Sequence, residues 1–371
     1  MKVCIISKYP PIQGGISAKT YWLAQGLAEK GIETHVITNG NCVEKEYFID
    51  DSPPEIPSNL IIHFVDPDIP WHIPYSELYI SRLLDKTLEV INEYHIDLID
   101  THYLIPYGIV GYLASKIKGI PYIVRHGGSD IKKFVKDGVF RHLLRNVIQD
   151  ATAIITDEKN RGLFENINSN VLVLPRYIPD ERFFKPYFIS REIPTFAYIG
   201  KINYYWKYKS LDKIVSIFSG IKEEHKLLFV GQGKGFKDFS RFVESSGLKS
   251  YEFRKFVHPA SMPNLLNNID YLLYFVQDNP IRDYSNIVGE ALCSGVALIT
   301  DKAMDIGEHK RYIEIVSSDQ IITLTLDDIE TAQKEIHGLI KDRKGTSQYN
   351  SKAKYDFNSY INANLEKFNE I

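Results

Sequence analysis

Short apolar runs alternate with segments of helical periodicity along most of this chain, and this alternation constrains the fold more than any other feature. The first apolar run, residues 3–7, precedes residues 17–30, where apolar side chains recur at helical spacing up to Gly31. Strands and helices in alternation favour a parallel sheet with helices on both faces. We therefore predict a doubly wound α/β fold. Further strands are predicted at 34–38, 60–65, 98–101, 122–125, 153–156 and 171–174, with helices at 76–94 and 107–117.

A second alternating series follows a proline-containing linker at residues 175–186. A chain of 371 residues is also longer than one core usually supports. We predict two Rossmann-like domains, residues 1–182 and 183–352, and a C-terminal helix within 353–371. Ligands of such folds bind at the carboxyl ends of strands, so we expect a site in the cleft between the two halves. The second series has predicted strands at 196–199 and 226–230 and helices at 211–221 and 236–246.

The composition excludes several classes of protein. With 44% apolar and 25% charged residues, the chain has the make-up of a folded globular protein. A net charge of −3 argues against a general nucleic-acid binder. The three cysteines have neither metal-ligand spacing nor a disulfide pattern, which fits a reducing cytoplasm. No signal peptide and no membrane-spanning run is apparent, so we expect a cytoplasmic protein with at most peripheral membrane contact.

The segment from residue 271 to 300 carries the strongest functional pattern. An apolar run, 271–276, leads into a polar loop, a short predicted helix that contains Glu290, and a second apolar strand. Gly295 stands where a helix C-terminal cap is expected, and Ser285 or Asp283 where an N-cap is expected. Backbone N–H groups at the start of such a helix bind phosphate oxygens. The carboxylate of Glu290 would accept hydrogen bonds from the vicinal hydroxyls of a sugar.

This segment resembles the nucleotide-sugar site of retaining glycosyltransferases of family four, which have the GT-B fold. Those proteins carry two Glu separated by seven residues, with an Asn often four residues before the second. Asn286 and Glu290 match this pattern, whereas Arg282 replaces the first Glu. The resemblance implies that N–H groups near Asn286 and Ile287 hold the donor phosphates and that Glu290 holds the ribose. Asp283 would accept the hydrogen bonds from the sugar hydroxyls that Arg282 cannot accept. Alternatively, Arg282 would pair with an acidic sugar such as a uronic acid.

Three motifs of the first half fit the same resemblance. Gly14 and Gly15 follow the first strand, where they form either a simple turn or a loop that approaches a ligand. They resemble the Gly-Gly loop that lies between donor phosphate and acceptor in the family. His126, in Arg-His-Gly-Gly-Ser-Asp, resembles a His that reaches the donor sugar, although this chain has one extra glycine. His102 matches a His common in relatives and is an acceptor-side candidate; the alternative for both histidines is a structural role.

Cationic residues follow the first strand of the second half. Relatives carry Gly-Arg at this point and Lys-Gly some residues later, and the two cations neutralise the leaving diphosphate. Gly200 and Lys201 fit the first pair, although Lys lacks the bidentate fork of Arg. For the second pair we prefer Lys209 to Lys207, because the small Ser210 fits the glycine position. The alternative is a solvated lysine cluster.

Gly231 opens a Gly-Gln-Gly-Lys-Gly run after a predicted strand. The run superficially suggests a dinucleotide fingerprint, but its spacing is imperfect and no acidic residue follows on the expected strand. Relatives have a similar loop beside the donor nucleotide. Arg254 is a weaker donor-side candidate, because it lies where relatives bind the base largely through backbone atoms.

Residues 131–147 combine lysines and arginines with apolar side chains at helical spacing. A basic amphipathic helix binds anionic membrane surfaces, and relatives that use lipid-linked acceptors touch the membrane in this region. An ordinary packed surface helix is the alternative.

The ordered set of motifs implies a retaining glycosyltransferase of the hexosyltransferase type. It would move a sugar from a nucleotide diphosphate, UDP or GDP, to a hydroxyl of a glycan, polysaccharide or lipid-linked acceptor. Neither a metal nor a cofactor is expected, since the lysines and the helix dipole would stabilise the leaving group. The alternatives are a non-catalytic sugar- or nucleotide-binding protein of the same fold and an NAD-dependent oxidoreductase. The sequence leaves the base, the sugar, the acceptor and the oligomeric state open.

Overall fold

The computed structural model describes residues 1–51, 54–74, 76–131, 141–187, 191–279, 285–341 and 349–370. The chain forms two compact units, Met1–Tyr177 together with Phe357–Ile371, and Ile178–Asp356. Within the described ranges, no helix combines the length and the apolar character that crossing a bilayer requires.

The first unit contains a seven-stranded parallel sheet in the order β3-β2-β1-β4-β5-β6-β7. This order confirms the predicted doubly wound sheet, with β1 beside the central strand β4 and the switch in strand order between these two strands. The strands are β1 (Lys2–Ile6), β2 (Glu33–Thr38), β3 (Leu60–Phe64), β4 (Leu98–His102), β5 (Tyr122–Arg125), β6 (Ala153–Thr156) and β7 (Val171–Val173).

Helices connect the strands of this unit. An apolar cluster of this unit combines side chains of the sheet with those of the helices, for example Ile99 and Val124 with Leu83 and Val110. Gly31 has φ +80° and ends the first helix as the sequence predicted: its N–H donates to the carbonyl of Ala28, and the N–H of Ile32 donates to that of Leu27. The helices are α1 (Gly15–Glu29), α2 (Glu77–Tyr94), α3 (Ile109–Lys118), α4 (Arg141–Gln149) and α5 (Arg161–Glu165).

The second unit repeats the plan with six parallel strands in the order β10-β9-β8-β11-β12-β14. The strand order again switches beside the first strand of the unit, between β8 and β11. The strands are β8 (Thr195–Ile199), β9 (Lys226–Val230), β10 (Tyr251–Arg254), β11 (Tyr271–Leu273), β12 (Ala297–Asp301), β13 (Ile313–Glu314), β14 (Ile321–Leu324) and β15 (Lys352–Ala353), of which β13 and β15 form a separate antiparallel pair.

The helices of the second unit cover a core of aromatic and aliphatic side chains, in which Phe196 stacks on Tyr271 and makes an edge contact with Phe218. They are α6 (Leu211–Ser219), α7 (Phe236–Ser245), α8 (Met262–Leu266), α9 (Asn286–Cys293), α10 (Ile306–Lys310) and α11 (Ile329–Lys341).

The last helix, α12 (Phe357–Asn369), belongs to the first unit and packs on α1. A Cβ at Gly26 would lie 2.5 Å from Cδ1 of Ile361, so the glycine allows the two helices to approach closely.

The bounds of several predicted elements differ in the structure, among them β11 and α3. The apolar run 271–276 forms a strand only to Leu273, because the N–H groups of Val276 and Gln277 bind the carboxylate of Asp301 and not a neighbouring strand. The helix predicted at 107–117 begins at Ile109, since residues Leu104–Gly108 form a π-helical turn.

Candidate functional site

The loop after β1 leads directly into α1. Gly14 precedes the helix with φ +140°, a conformation that disfavours other residues, and its carbonyl accepts the N–H of Ala18. The helix begins at Gly15, two residues before the predicted start, because Gly14 and not a side chain occupies the cap position. Gly14, the acceptor-side candidate, and Gly15, a donor-side candidate, therefore both follow the carboxyl end of β1, where the strand order switches.

His102 ends β4 and is buried, with 1% of its surface exposed. Its Nδ1 lies 3.0 Å from Oγ1 of Thr20 on α1, and its Nε2 lies 3.5 Å from Oδ2 of Asp100. Burial is the main cause that lowers the pKa of His102 to about 4, against the opposing pull of Asp100. The ring is therefore neutral at pH 7 and connects α1 to the sheet.

Arg125 ends β5, beside His102 in the parallel register. Its Nε donates to both carboxylate oxygens of Asp100 at 2.9 Å, and its Nη2 donates to Oδ1 of Asn364 on α12 at 2.8 Å. Burial alone would raise the pKa of Asp100, but Arg125 and His102 hold it well below its usual value. This buried ion pair fixes the strand immediately before His126.

The imidazole of His126 faces the interior of the first unit. Its Nε2 lies 2.7 Å from Oγ1 of Thr156, and its ring stacks on Phe164 with centroids 5.5 Å apart. Burial, followed by the nearby cations Arg176 and Lys19, lowers the pKa of His126 well below its usual value. The neutral ring is 1% exposed, and the backbone carbonyl of His126 accepts a hydrogen bond from Lys19.

The glycine-rich segment after His126 is held by Asp130. The buried carboxylate accepts the N–H groups of Leu104, Gly127 and Ile131 at 2.9–3.0 Å. A Cβ at Gly127 would lie 2.8 Å from the ring of Tyr103, so this position requires the close approach that glycine permits. Sequence reasoning quoted Asp130 within the motif but did not assign it this role.

Lys19 was missed by sequence reasoning. It lies one turn into α1, and its Nζ donates to the carbonyl of His126 at 3.4 Å. Burial and the cations Arg176 and Arg125 lower its pKa to about 8. Lys19 thus connects the helix that follows Gly14 and Gly15 to the backbone of His126. Its position four residues after Gly15 is a signal that the sequence did contain.

In the second unit, Gly200 and Lys201 follow β8, and Lys209 turns back toward them. The Lys209 Nζ donates to the carbonyl of Lys201 at 2.7 Å, and a Cβ at Gly200 would lie 3.8 Å from this ammonium. Burial, followed by the charge of Lys201, lowers the pKa of Lys209 to about 8. The structure therefore brings these three predicted donor residues together at one strand end.

Lys207 points elsewhere: its Nζ lies 5.7 Å from the ring centre of Trp206, and the residue is exposed. Trp206 is buried against Phe239 and anchors this turn, while Tyr205 is 70% exposed. Ser210 follows with φ +53°, in the left-handed region that a glycine would occupy without strain. The geometry is that expected if Lys209 and Ser210 take the place of the family's Lys-Gly pair.

Gly231 follows β9 and packs directly on the neighbouring loop. Its φ is +151°, and a Cβ there would lie 1.9 Å from the carbonyl oxygen of Gly200. Gly235 likewise lies against the carbonyl of Asn203. The close packing of two loops explains these glycines, so a dinucleotide fingerprint is not needed to account for them.

Arg254 ends β10, and its side chain lies outside the cluster formed by Gly200, Lys201 and Lys209. Its guanidinium binds Glu252 on the same strand at 2.5 and 2.9 Å on the exposed edge of the sheet. Only its backbone carbonyl reaches the loop, where it accepts the N–H of Gly231.

The helix α9 carries the strongest sequence pattern. It begins at Asn286, with Ile287 in its first turn, and Ser285 occupies the N-cap position without a capping hydrogen bond from its side chain. Glu290 is buried, with 4% exposed. Gly295 has φ +78°, and the hydrogen bonds of residues 295 and 296 to Leu292 and Ala291 form the predicted C-terminal cap.

Some predicted residues lie outside the described part of the chain. They are Arg282 and Asp283, and most of the amphipathic segment 131–147. Of that segment the structure describes Ile131, which is buried, and the part that falls in α4, where Leu144 and Val147 are buried.

Comparisons with known proteins are consistent with this geometry. Residues 17–158 match the family model described as glycosyl transferase 4-like. Over 257 residues the chain is 28% identical to a glycosyltransferase of Methanocaldococcus jannaschii, a match that covers 68% of this chain and 66% of the relative. Over 256 residues it is 26% identical to the N-acetyl-α-D-glucosaminyl L-malate synthase of Bacillus anthracis, with 65% and 64% covered. The match thus spans slightly less than two thirds of either relative.

The fold is similar to that of solved glycosyltransferases. Anabaena HepE in complex with UDP-glucose superposes with a TM-score of 0.63 at 13% identity, covering 99% of this chain and 95% of HepE. At this identity the likeness establishes the fold, which is GT-B. The family model, the relatives and the fold agree in their similarity to glycosyltransferases of group 1 type.

Proposed function

We propose that this protein is a retaining glycosyltransferase that moves a sugar from a nucleotide diphosphate donor to a hydroxyl acceptor. The carrying observation is the end of β8, where the ammonium of Lys209 lies beside the backbone of Gly200 and Lys201. A preorganised cation at a strand end is suited to neutralise a diphosphate leaving group. Losing one such group typically costs about 2.7–4 kcal/mol of transition-state stabilisation.

The donor in this proposal is a UDP-sugar first and a GDP-sugar second. The similarly folded HepE is described in complex with UDP-glucose, which favours the uridine donor. The N–H groups of Asn286 and Ile287, at the start of α9, would bind phosphate oxygens. Glu290 would accept hydrogen bonds from the ribose hydroxyls.

The reaction would retain the configuration at the anomeric carbon. The bond between that carbon and the phosphate oxygen breaks as the acceptor oxygen attacks from the same face, and the departing phosphate takes the acceptor proton. His126 would orient the sugar, and neither a protein nucleophile nor a metal is required. The acceptor would be a hydroxyl of a glycan, a lipid-linked sugar or a small hydroxy acid, since a relative is named as a synthase of a glucosaminyl malate. In this proposal the protein acts in the cytoplasm, at the inner membrane face if the acceptor is lipid-linked.

A nucleotide screen tests the donor. UDP, GDP, ADP and their sugars are added separately, and the melting temperature of the full chain is measured. A ligand at a hundredfold excess over its Kd stabilises the native state by about 2.7 kcal/mol. NAD serves as the negative control, because stabilisation by NAD alone would favour an oxidoreductase.

A matched pair of variants tests the leaving-group site. Lys209→Met should lower donor turnover at least about a hundredfold, whereas Lys207→Met should leave it nearly unchanged, since Lys207 stacks on Trp206. Product anomers are assigned by proton NMR, with and without EDTA. Inversion, or equal effects of the two variants, would contradict the proposal. Donor binding without transfer or donor hydrolysis would favour a non-catalytic binding protein.

A further inference from the structure

The loop between β11 and α9 is held at both of its ends by side chains from the elements that follow it. One anchor is Asp301, the last residue of β12, and the other is His309, on α10. Both are buried, with 2% and 1% of their surfaces exposed. We infer that Asp301 and His309 are positioning residues that set the start of α9 for binding the donor diphosphate. This inference rests on the proposed function.

Asp301 fixes the point where the chain leaves the sheet. Its Oδ2 accepts the N–H groups of Val276 and Gln277 at 2.6 and 3.0 Å, and its Oδ1 accepts that of Ala303 at 2.8 Å. Hydrogen bonds to an ionised carboxylate are stronger than neutral ones. The neighbouring Thr300 adds a hydrogen bond from its hydroxyl to the carbonyl of Tyr274 at 2.7 Å. These hydrogen bonds fix the backbone conformation at the start of the loop.

His309 fixes the other end of the loop. The N–H of Ser285, the residue that precedes α9, donates to Nε2 of His309 at 3.2 Å. A ring nitrogen that accepts must be unprotonated, and burial lowers the pKa of His309 to about 4, so the bond is intact at pH 7. The short helix that carries His309 is itself capped, since the carboxylate of Asp305 accepts the N–H of Gly307 at 3.1 Å.

These contacts determine the direction of the N–H groups that begin α9. The side chain of Ser285 makes no capping bond, so the imidazole of His309 holds the cap residue from outside the helix. If Ser285 moved, the N–H groups of Asn286 and Ile287 would rotate with it. Phosphate binding depends on those directions, whereas Glu290, one turn further into α9, would still accept the ribose hydroxyls. Loss of an anchor should therefore weaken the diphosphate selectively.

The test compares two probes, UDP and uridine, by NMR titration of the full chain. His309→Leu removes the acceptor at similar size, and His309→Gln restores an acceptor oxygen. We expect about tenfold weaker UDP binding for His309→Leu with little change for uridine, because one hydrogen bond and its geometry are lost. His309→Gln should recover most of the affinity, and Asp301→Asn should resemble His309→Leu.

The outcomes separate the two proposals. Equal weakening of UDP and uridine in His309→Leu, or unchanged UDP binding in a folded variant, would overturn the positioning role alone. Failure of His309→Gln to recover UDP affinity would also overturn it. If the wild-type chain binds no nucleoside diphosphate at all, the proposed function fails and the inference fails with it. Urea unfolding of each variant shows whether the fold is kept.

Discussion

Arg125 donates a hydrogen bond from Nη2 to Oδ1 of Asn364, 2.8 Å away, and thereby ties the last helix to the strand that precedes His126. The same guanidinium is bound through Nε to both oxygens of Asp100. A wholly buried arginine requires partners for its N–H groups, because an unsatisfied buried donor is costly. The last helix thus supplies a hydrogen-bond acceptor to a buried charge of the first unit.

Replacing Asn364 should destabilise the first unit. In Asn364→Ala a buried N–H of Arg125 loses its acceptor, which we expect to cost about 1–3 kcal/mol of unfolding free energy. Asn362→Ala, at a partly exposed position of the same helix, is the control. Urea denaturation followed by circular dichroism measures both. Equal small effects would show that the hydrogen bond to Arg125 contributes little.

The backbone at Ser210 gives a second prediction. Its φ of +53° costs a residue with a side chain about 1–2 kcal/mol, and its buried hydroxyl has no hydrogen-bond partner among the described residues. Ser210→Gly should therefore stabilise the second unit by about 1 kcal/mol, after allowance for the added freedom of the unfolded chain.

Ser210→Ala separates the two causes of this effect. Alanine removes the hydroxyl but keeps the strained backbone, so we expect it to gain less than glycine does. Thermal unfolding of the three proteins in parallel gives the ranking. A glycine variant less stable than the wild type would mean that entropy outweighs strain at this turn.

The elements that the sequence predicted well are those set by local patterns. The apolar runs that became β5, β6 and β9 have the predicted bounds, and Gly31 and Gly295 end their helices as predicted because a left-handed residue there has a local signature. The strand β11 is shorter than predicted, since the Asp301 carboxylate competes for its backbone and lies 25 residues further on.

The site was predictable only in part, for the same reason. The motifs identified Gly200, Lys209 and the start of α9 as site candidates. In the structure each of them follows a strand of the second unit. Lys19, Asp130 and His309 act through contacts with His126, Leu104 and Ser285, all distant in sequence. Such pairs follow from how the elements pack, and no local pattern in the sequence encodes them.

The lowered pKa of Lys209 predicts a linkage between protons and donor binding. With a pKa of about 8, Lys209 is partly deprotonated in the free protein at pH 8. A bound diphosphate favours the charged form and raises that pKa, so binding takes up protons. UDP affinity should therefore fall as the pH rises from 7 to 9.

Calorimetry of UDP binding at pH 8 in two buffers of different ionisation enthalpy measures the proton uptake. Lys209→Met should abolish most of it, while Lys207→Met should not. Proton uptake that persists in Lys209→Met would assign the linkage to another group, such as Lys19.

The hydrogen-bonded pair His35 and His63 predicts acid sensitivity of the first unit. Nε2 of His35 donates to Oε1 of Glu33 at 3.1 Å, so its Nδ1 is bare and accepts from Nε2 of His63 at 2.9 Å. Tyr94 packs on both rings, and the charged groups that face them are Lys2, Glu33, Lys86 and Glu93. Protonation of His35 at Nδ1 would place its N–H opposite the N–H of His63, and the hydrogen bond between the two rings would be lost.

Burial lowers the pKa of His35, and burial with the charge of His35 lowers that of His63 to about 4. The unfolded chain, with histidine pKa values of about 6.5, binds more protons than the native state between these values. The contribution of this pair to the free energy of unfolding is therefore complete above pH 6.5 and is lost as the pH falls toward 4. The urea midpoint should decline over this window, and less steeply in His63→Gln, which keeps a donor for His35 without a titrating ring. An unchanged slope in that variant would assign the acid sensitivity to other groups.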